Sequence, residues 1–336
     1  MGYELIKIGK AENERIFSAL NRLGFGMKKA QNLCDKGRIL DFKGHVLAKN
    51  ELFSGELFMI DYVCYSRGLK PIFECDEFAV FNKPSGICSH PNGRNSAYNM
   101  YDEIWHLYSR DACVAHRLDA QTSGLLLVAK NASSAKELKA LFEQRAVLKS
   151  YLALVRGDLK KANLREFKSA EFFEFSNKLE FLKDFSGFVI DESMRLGGLA
   201  GHTKHKMEIC TSNESGAKRA VTLVRALEFY PNSAEFSSSK YSEIFGAKTL
   251  FDDGATIVQC YPLTGRQHQI RLHLFHVKHS ILGDPLYGLC QSDIERILDD
   301  KMDENERLEK TGSNRLMLHA NALNFTFKGQ EYNVEF

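Results

Sequence analysis

One stretch constrains the fold of this chain more than any other: a continuous apolar run that follows a turn rich in Gly, Ser and Thr. The stretch reads HRLDAQTSGLLLVAK from His116 to Lys130, and its apolar part is Leu125 through Ala129. A run of this length predicts a strand that is covered on both faces. Asp119 stands in the turn before it, where a packed element can hold a reactive side chain rigidly. Asp119 is therefore a candidate catalytic residue, although an Asp beside Thr and Gly is also a common turn former.

The rest of the chain mixes β-type runs with helical segments and lacks a regular βαβ repeat. Glu74 through Asn82, Tyr151 through Val155 and Thr256 through Cys260 predict further strands. Ser134 and Glu137 have the spacing of a helix capping box, and an apolar helical face follows them (Leu138, Leu141, Phe142). This mixture favours the α+β class.

Length and composition indicate an intracellular protein that is larger than one average domain. The chain has 336 residues, which suggests two domains, or one domain with inserts. Tyr65 through Pro71 reads as a linker, so we predict domains at 1–68 and 69–336. No apolar run approaches the roughly 20 residues of a membrane span, and the first residues lack the apolar core of a signal peptide. We therefore expect a cytoplasmic monomer, whose eight scattered cysteines stay reduced.

The N-terminal residues carry a local excess of positive charge. Residues 1–70 contain 12 Lys and Arg against 8 Asp and Glu, whereas the whole chain has a net charge of only +2. A first helix is predicted where Ile16 and Leu20 recur before Gly24, and a second over Lys28 through Lys36. Short strands are predicted after it, around residues 38–40, 46–47 and 57–60.

These two helices and short strands resemble the αL RNA-binding module of ribosomal protein S-four type. The resemblance implies that a basic face binds RNA phosphates and adds affinity with little sequence information. The residues on that face would be Lys28, Lys29, Lys36 and Arg38. A solvated basic face on a small helical domain explains the same residues equally well.

The HRLD stretch, together with five ordered motifs, resembles the RluA-type pseudouridine synthases, which isomerise uridine to pseudouridine within RNA. The motifs are FAVFNKPSGICSHP (78–91), KSYLALVRG (149–157), LTGRQHQIRLH (263–273), SILGDPLYG (280–288) and RLMLHANAL (315–323). They span most of residues 70–325, whereas a lone motif would be weak support. The resemblance implies a mostly antiparallel mixed sheet flanked by helices, with an RNA-binding cleft.

The implied reaction explains why one carboxylate suffices. The bond from ribose to nitrogen-1 of uracil breaks, the base turns, and a new bond forms to carbon-5, so no water enters and no cofactor is expected. Asp119 would act either as nucleophile at the anomeric carbon or as base at the neighbouring carbon, and the sequence does not choose between the two. The target base must first leave its stack.

The resemblance also assigns roles to other residues. Tyr151 takes the position of a ring that stacks on uracil, and Arg271 that of a cation facing Asp119, which helps a carboxylate to stay ionised in a water-poor cleft. Arg266 would grip phosphate or support the cleft, and Arg117 would help to extrude the flipped nucleotide. Lys83 is included among the substrate-binding candidates, with a supporting role. From spacing alone, Arg271 could equally be a surface residue of an amphipathic helix.

Several histidines lie within these motifs, but we predict no metal site. Helical H-x-x-H-x-x-H spacing spreads its side chains around the helix, so His273, His276 and His279 would not converge on one ion. Buried, hydrogen-bonded histidines are the preferred interpretation of the motif residues His116, His268, His273 and His319.

Residues 158–215 are longer than the family pattern requires and form a candidate insert. Their phenylalanines either pack on the core, which we favour, or offer a surface for a particular RNA. We expect large-subunit ribosomal RNA as the substrate, with transfer RNA second. The alternative class is a non-catalytic RNA-binding protein that assists ribosome assembly.

Overall fold

The computed structural model describes residues 2–91, 98–197 and 206–336, and the chain separates into two compact units. One unit, here the N-terminal unit, comprises Met1–Leu69 with His90–Tyr108, and the other, here the C-terminal unit, comprises Lys70–Ser89 with Ser109–Phe336. The predicted single boundary between residues 68 and 69 leaves 90–108 in the second domain. The structure instead groups that segment with the N-terminal residues.

The N-terminal unit is a small sheet packed against two helices. Its strands pair antiparallel in the order β1-β3-β2. Its elements are β1 (Tyr3–Arg15), α1 (Ile16–Arg22), α2 (Met27–Asp35), β2 (Ile39–Leu40), β3 (Leu52–Tyr62) and α3 (Met100–Leu107). Ile16, Leu20, Leu33 and Leu57 lie in its core, so the two predicted helices are confirmed. Strand β1 was not predicted.

Two buried carboxylates explain why helix α3 belongs to the N-terminal unit. Asp102 is 1% exposed and accepts hydrogen bonds from the Tyr62 hydroxyl at 2.9 Å and from the Tyr65 amide at 2.9 Å. Glu103 is fully buried and accepts from the Ser66 hydroxyl at 2.6 Å. Because buried carboxylates are costly without such partners, these bonds fix helix α3 to the end of strand β3.

The C-terminal unit is built on an 11-stranded sheet. Its strands are β4 (Phe73–Glu74), β5 (Phe78–Lys83), β6 (Cys113–Val114), β7 (Ser123–Ala129), β8 (Leu148–Arg156), β9 (Phe188–Leu196), β10 (Met207–Cys210), β11 (Lys218–Tyr230), β12 (Ala255–Pro262), β13 (Leu318–Phe327) and β14 (Gln330–Glu335). The order is β10-β9-β11-β12-β8-β13-β7-β5-β4, with β14 on β13 and β6 on β7. Strands β13 and β7 pair in parallel, and the other pairs are antiparallel.

Helices flank this sheet, which confirms the predicted α+β class. They are α4 (Ala132–Glu143), α5 (Ser176–Leu179), α6 (Ser233–Ser237), α7 (Lys240–Phe245), α8 (Gln269–His276), α9 (Gln291–Leu298) and α10 (Glu304–Thr311). All seven residues of β7 are buried, as predicted for the run Leu125 through Ala129. None of the helices in the ranges described above is long and apolar enough to cross a membrane.

Helix α4 is confirmed, but its predicted cap is wrong. Asn131, not Ser134, caps the helix, because its side chain accepts a hydrogen bond from the Ser134 amide at 2.9 Å. Ser134 lies inside the first turn, fully buried, and its hydroxyl donates to Glu77. The sequence pattern resembled a capping box because both residues have short polar side chains three positions apart.

The insert extends the sheet and packs five of its phenylalanines, two of them buried, into one apolar cluster. Strands β9 and β10 lie at one edge, where β9 pairs with β11. Phe172 and Phe175 are buried beside Val221 and Tyr261 in one apolar cluster, which supports the core-packing interpretation. Phe173 is an exception at 78% exposure. The glycine-rich piece predicted at 197–201 lies, after Gly197, outside the described residues.

Candidate active site

The loop that carries Asp119 is held in place by the segment that follows strand β5. The Ser85 hydroxyl donates to the carbonyl of Gln121 at 2.6 Å, and the Gly86 amide donates to the carbonyl of Ala120 at 2.8 Å. The Ser89 hydroxyl both donates to the carbonyl of Leu118 at 2.8 Å and accepts from its amide at 3.0 Å. These bonds give the loop fixed backbone partners on either side of Asp119, as a rigidly mounted side chain requires.

Lys83 adds further hydrogen bonds that hold the Asp119 loop in place. Its ammonium donates to the carbonyls of Pro84, Ile87 and Ala120 at 2.8, 2.7 and 3.0 Å, which uses its three N–H donors. The side chain has no exposed surface, and its burial lowers the pKa of Lys83 to about 7. Lys83, one of the substrate-binding candidates, thus has no exposed surface with which to contact RNA, and its position is that of a support inside the Asp119 loop.

Replacing Lys83 with Met is expected to destabilise the protein by about 3 kcal/mol, because three buried carbonyls lose their donor. Urea unfolding, monitored by the circular dichroism of the backbone, measures this change. The exposed Lys139 on helix α4 gives a matched control, and Lys139→Met should leave the unfolding midpoint unchanged. Equal unfolding midpoints for the Lys83 variant and wild type would show that the fold does not need these hydrogen bonds for its stability.

Asp119 faces the buried guanidinium of Arg271. The distance from Arg271 Nη1 to Asp119 Oδ2 is 3.7 Å, which is an ion pair without a close hydrogen bond. The Arg271 side chain is 3% exposed, whereas that of Asp119 is 35% exposed. The carboxylate of Asp119 thus faces a buried cation and is partly open to solvent. The interpretation of Arg271 as a surface residue is wrong.

Asp284 anchors Arg271 from the opposite side. Two parallel hydrogen bonds of 2.7 Å join the guanidinium to both oxygens of this fully buried carboxylate. Burial alone would raise the pKa of Asp284, but Arg271 and the amides of Leu286 and Tyr287 lower it overall. Burial likewise opposes the charge of Arg271, yet Asp284 and Asp119 raise its pKa. The pair keeps the guanidinium charged and fixed in orientation.

Two further side chains border this pair of charges. His268, the N-cap of helix α8 with a φ of 54°, has its Nε2 3.8 Å from Asp119 Oδ2. Its Nδ1 lies 3.3 Å from the hydroxyl of Tyr287, whose ring centre lies 5.4 Å from the carbon of the Arg271 guanidinium. Left-handed backbone at a non-glycine residue is strained, and such strain concentrates at functional sites.

Tyr151 lies on the strand next to β13, and sheet register relates it to the Asp119 loop. Gly124, just after the loop, opposes Ala320, and Ala320 in turn opposes Tyr151. Neighbouring strands are about 4.8 Å apart, so these backbones lie within roughly 10 Å of one another. A Cβ at Gly124 would stand 2.2 Å from the Ala320 carbonyl oxygen, which is why only glycine allows this approach.

The remaining predicted residues are placed without contacts to Asp119 that define a role. Arg117 is exposed two residues before it. Arg266 is half-buried, and its Nε donates to the Arg219 carbonyl at 3.2 Å, so it supports the loop before helix α8. In the N-terminal unit, the predicted phosphate-binding lysines Lys28, Lys29 and Lys36 are exposed. Arg38 stacks on Tyr3, with 5.3 Å between the guanidinium carbon and the ring centre.

Two of the motif histidines, His273 and His319, are buried, and His116 and His268 are partly buried. Burial lowers the pKa of His116 to about 3 and those of His273 and His319 to about 4. His116 Nε2 accepts from the Leu127 amide at 3.1 Å, as expected for a hydrogen-bonded core histidine. Neither ring nitrogen of His273 has a hydrogen-bonding partner in the described structure, so that expectation is wrong for His273. Within the three described ranges, no group of three side chains is arranged to hold a metal ion.

Sequence reasoning missed Asp284, Tyr287 and His268. Asp284 and Tyr287 lie in a motif that was recognised without a role, and His268 was treated only as a buried histidine. A signal was available for Asp284, because an arginine buried opposite a carboxylate needs a second acceptor for its remaining donors. Nothing in the local sequence pointed to Tyr287 or to the left-handed backbone at His268.

The C-terminal unit thus places the half-exposed carboxylate of Asp119 in front of a buried arginine, Arg271, which Asp284 anchors. The sequence profile described as RNA pseudouridylate synthase matches residues 77–276, a range that contains both Asp119 and Arg271. The chain belongs to this family and is an isomerase that acts on RNA.

Relatives of known sequence agree with the family. The chain is 30% identical over 332 residues to an uncharacterised RNA pseudouridine synthase of Helicobacter pylori strain J99, with 99% of this chain and 93% of the relative covered. It is 32% identical over 262 residues to tRNA pseudouridine synthase C of Haemophilus ducreyi, covering 76% and 84%. It is 30% identical over 260 residues to ribosomal large subunit pseudouridine synthase C of Escherichia coli K12, covering 77% and 62%.

A solved structure supports the fold. The human RNA pseudouridylate synthase domain containing 1 superposes with a TM-score of 0.53 at 22% identity, covering 80% of this chain and 83% of that one. At this identity the likeness concerns the fold alone.

Proposed function

We propose that Asp119 is the catalytic residue with which this enzyme converts specific uridines of large-subunit ribosomal RNA to pseudouridine. The observation that carries the proposal is the ion pair of 3.7 Å between the half-open Asp119 and the buried Arg271. A cation at that position favours the ionised carboxylate, which is the form that can attack or accept a proton.

The reaction balances without an added reagent. The bond between the anomeric carbon and nitrogen-1 of uracil breaks, and the free base turns. Carbon-5 then bonds to the anomeric carbon, its proton leaves, and nitrogen-1 regains a proton. Substrate and product contain the same atoms, so the balance calls for no redox or group-carrying cofactor. Asp119 acts on the sugar, either as nucleophile at the anomeric carbon or as base at the neighbouring carbon.

The flipped uracil takes its place between these groups. We assign Tyr151 as the ring that stacks on the base, which offsets part of the few kcal/mol that flipping costs. Its hydroxyl is the candidate acceptor for the carbon-5 proton. The exposed Arg117, two residues before Asp119, is assigned to the gap left in the RNA.

The N-terminal unit is assigned to RNA binding, as an αL-type module. Support comes from the exposed ammonium groups of Lys28, Lys29 and Lys36, which lie on and just after one short helix. Contacts of this kind add affinity for any structured RNA. The names of the relatives leave both RNA classes open, so ribosomal RNA stays first and transfer RNA second. We infer a cytoplasmic enzyme.

Mapping pseudouridine in ribosomal and transfer RNA tests the proposal. RNA is compared from cells with the gene, without it, and with the gene carrying Asp119→Ala. We expect one or a few large-subunit positions to lose pseudouridine in both defective strains. Losses confined to transfer RNA would move the substrate to that class. Unchanged maps together with intact RNA binding would favour the non-catalytic ribosome assembly factor.

A further inference from the structure

Several cations of the C-terminal unit are paired with carboxylates. Four such arginines are Arg165, Arg195, Arg219 and Arg296, paired with Glu171, Glu208, Asp191 and Glu306. Arg145, Lys149 and Lys178 are among the cations that have no carboxylate within ion-pair distance in the part of the chain that the structure describes. Contacts through Phe175 and Pro262 place these three near one another, and we call the group the cationic corner.

The insert brings the corner together. Arg145 is exposed, and its guanidinium carbon lies 5.6 Å from the ring centre of Phe175. Three residues after Phe175, the 4% exposed Lys178 donates to the carbonyls of Pro262 and Leu263 at 3.3 and 2.8 Å. One of its three N–H donors is left over. The exposed Arg145 and the buried Lys178 thus mark the outer and inner ends of the corner.

Lys149 connects the corner with the candidate active site. Its ammonium lies 5.8 Å from the ring centre of Tyr151. Tyr151 opposes Cys260 in the antiparallel ladder of β8 and β12. Continuing this register places Lys149 level with Pro262, the residue whose carbonyl accepts from Lys178. The corner therefore borders Tyr151 on one side and the start of the segment that leads to Arg271 on the other.

Like charges and a left-handed backbone position meet at the corner. Burial, together with Lys149 and Arg145, lowers the pKa of Lys178 to about 7. Lys149 also contributes, after burial, to the lowered pKa of His116. Arg145 has a φ of 58° at the end of helix α4, a position where glycine is favoured. A phosphate bound between these cations would offset their mutual repulsion.

We propose that the cationic corner binds a phosphodiester of the substrate RNA beside the flipped uridine. Arg145 and Lys149 contact the phosphate oxygens, and Lys178 adds positive field from beneath. This inference rests on the proposed function, because it assigns the RNA backbone contact of that same site. Because the inner cation comes from the insert, the corner also gives residues 158–215 a role in substrate binding.

Arg145→Gln tests the corner, and Arg165→Gln is its matched control. Both arginines lie over a phenylalanine ring of the insert, at 5.6 and 5.7 Å, but Arg165 is already paired with Glu171. Binding of an RNA fragment is measured by fluorescence anisotropy against salt concentration, and pseudouridine formation by tritium release. We expect Arg145→Gln to raise Kd and KM about fivefold with kcat unchanged. It should also reduce the slope of log K against log salt by about one.

Each outcome bears on the corner and separates it from the proposed function. The control variant should match wild type in Kd, KM and salt slope. Equal behaviour of the two variants, or a wild type that binds no RNA, overturns the corner. If wild-type protein binds RNA but forms no pseudouridine, a weaker Kd for Arg145→Gln still supports the corner while the proposed function fails. If Arg145→Gln lowers kcat instead of raising KM, the phosphate contact is wrong.

Discussion

Asp119→Ala is expected to remove detectable pseudouridine formation while RNA binding changes by less than about tenfold, or about 1.4 kcal/mol. The loss follows because the reaction has one group positioned to act on the sugar. Binding survives because phosphate contacts on other residues supply most of the affinity for RNA. Asp119→Asn should be equally inactive, since an amide keeps the volume but neither attacks the anomeric carbon nor accepts a proton. Tritium release from uracil carbon-5 measures turnover.

The control for this prediction is an exposed aspartate elsewhere in the C-terminal unit. Asp76 lies in the turn between β4 and β5, and Asp76→Ala should keep full activity. An Asp119→Ala protein that retains more than a tenth of the wild-type rate would contradict the assignment of the catalytic residue. A drop in RNA affinity much beyond tenfold would instead show that the carboxylate has a structural role.

Asp284→Asn is expected to lower kcat at least about a hundredfold and to destabilise the fold by about 3–5 kcal/mol. The asparagine places an N–H against one N–H of Arg271, so the buried guanidinium loses half of its bidentate anchor. We expect the freed guanidinium to move closer to Asp119, with which it now forms an ion pair of 3.7 Å. A tighter pair would occupy the oxygen lone pairs that the reaction needs.

The loss of unfolding free energy caused by Asp284→Asn should depend on pH in one direction. The pKa of Asp284 is lower in the folded protein than the ordinary value of about 3.9, so the ionised group stabilises the folded state above that value. This contribution is lost as the pH falls through the folded pKa. The difference in unfolding free energy between wild type and Asp284→Asn should thus be constant above pH 5 and shrink below pH 4. A difference that grows on acidification would contradict the ion-pair interpretation.

Arg219 and Asp191 supply a geometry-matched control on the surface. Two hydrogen bonds of 2.8 and 2.7 Å join them, but the Arg219 side chain is 49% exposed. Asp191→Asn should therefore cost less than about 1 kcal/mol, because exposed ion pairs contribute little. The double variant Arg271→Met with Asp284→Leu separates folding from chemistry: we expect it to recover most of the stability and none of the activity.

Local sequence predicted those parts of the fold that local physics governs. The apolar run Leu125 through Ala129 became the fully buried strand β7, since only a two-faced environment suits such a run. The amphipathic spacing of Ile16 and Leu20 became helix α1. Strand β1 was missed because most of its residues stay exposed, which leaves no strong alternation to detect. The cap of α4 was misplaced by three residues because Asn131 and Ser134 offer the same chemistry.

The family, the α+β class and the candidates Asp119 and Arg271 follow from the sequence alone, because ordered motifs and periodic apolar residues are properties of the chain. The folded structure was needed to show that Asp284 holds Arg271, that Lys83 is buried under the Asp119 loop, and that Arg145, Lys149 and Lys178 come together. Burial and charge pairing depend on residues far apart in the chain, and folding brings these residues close to one another.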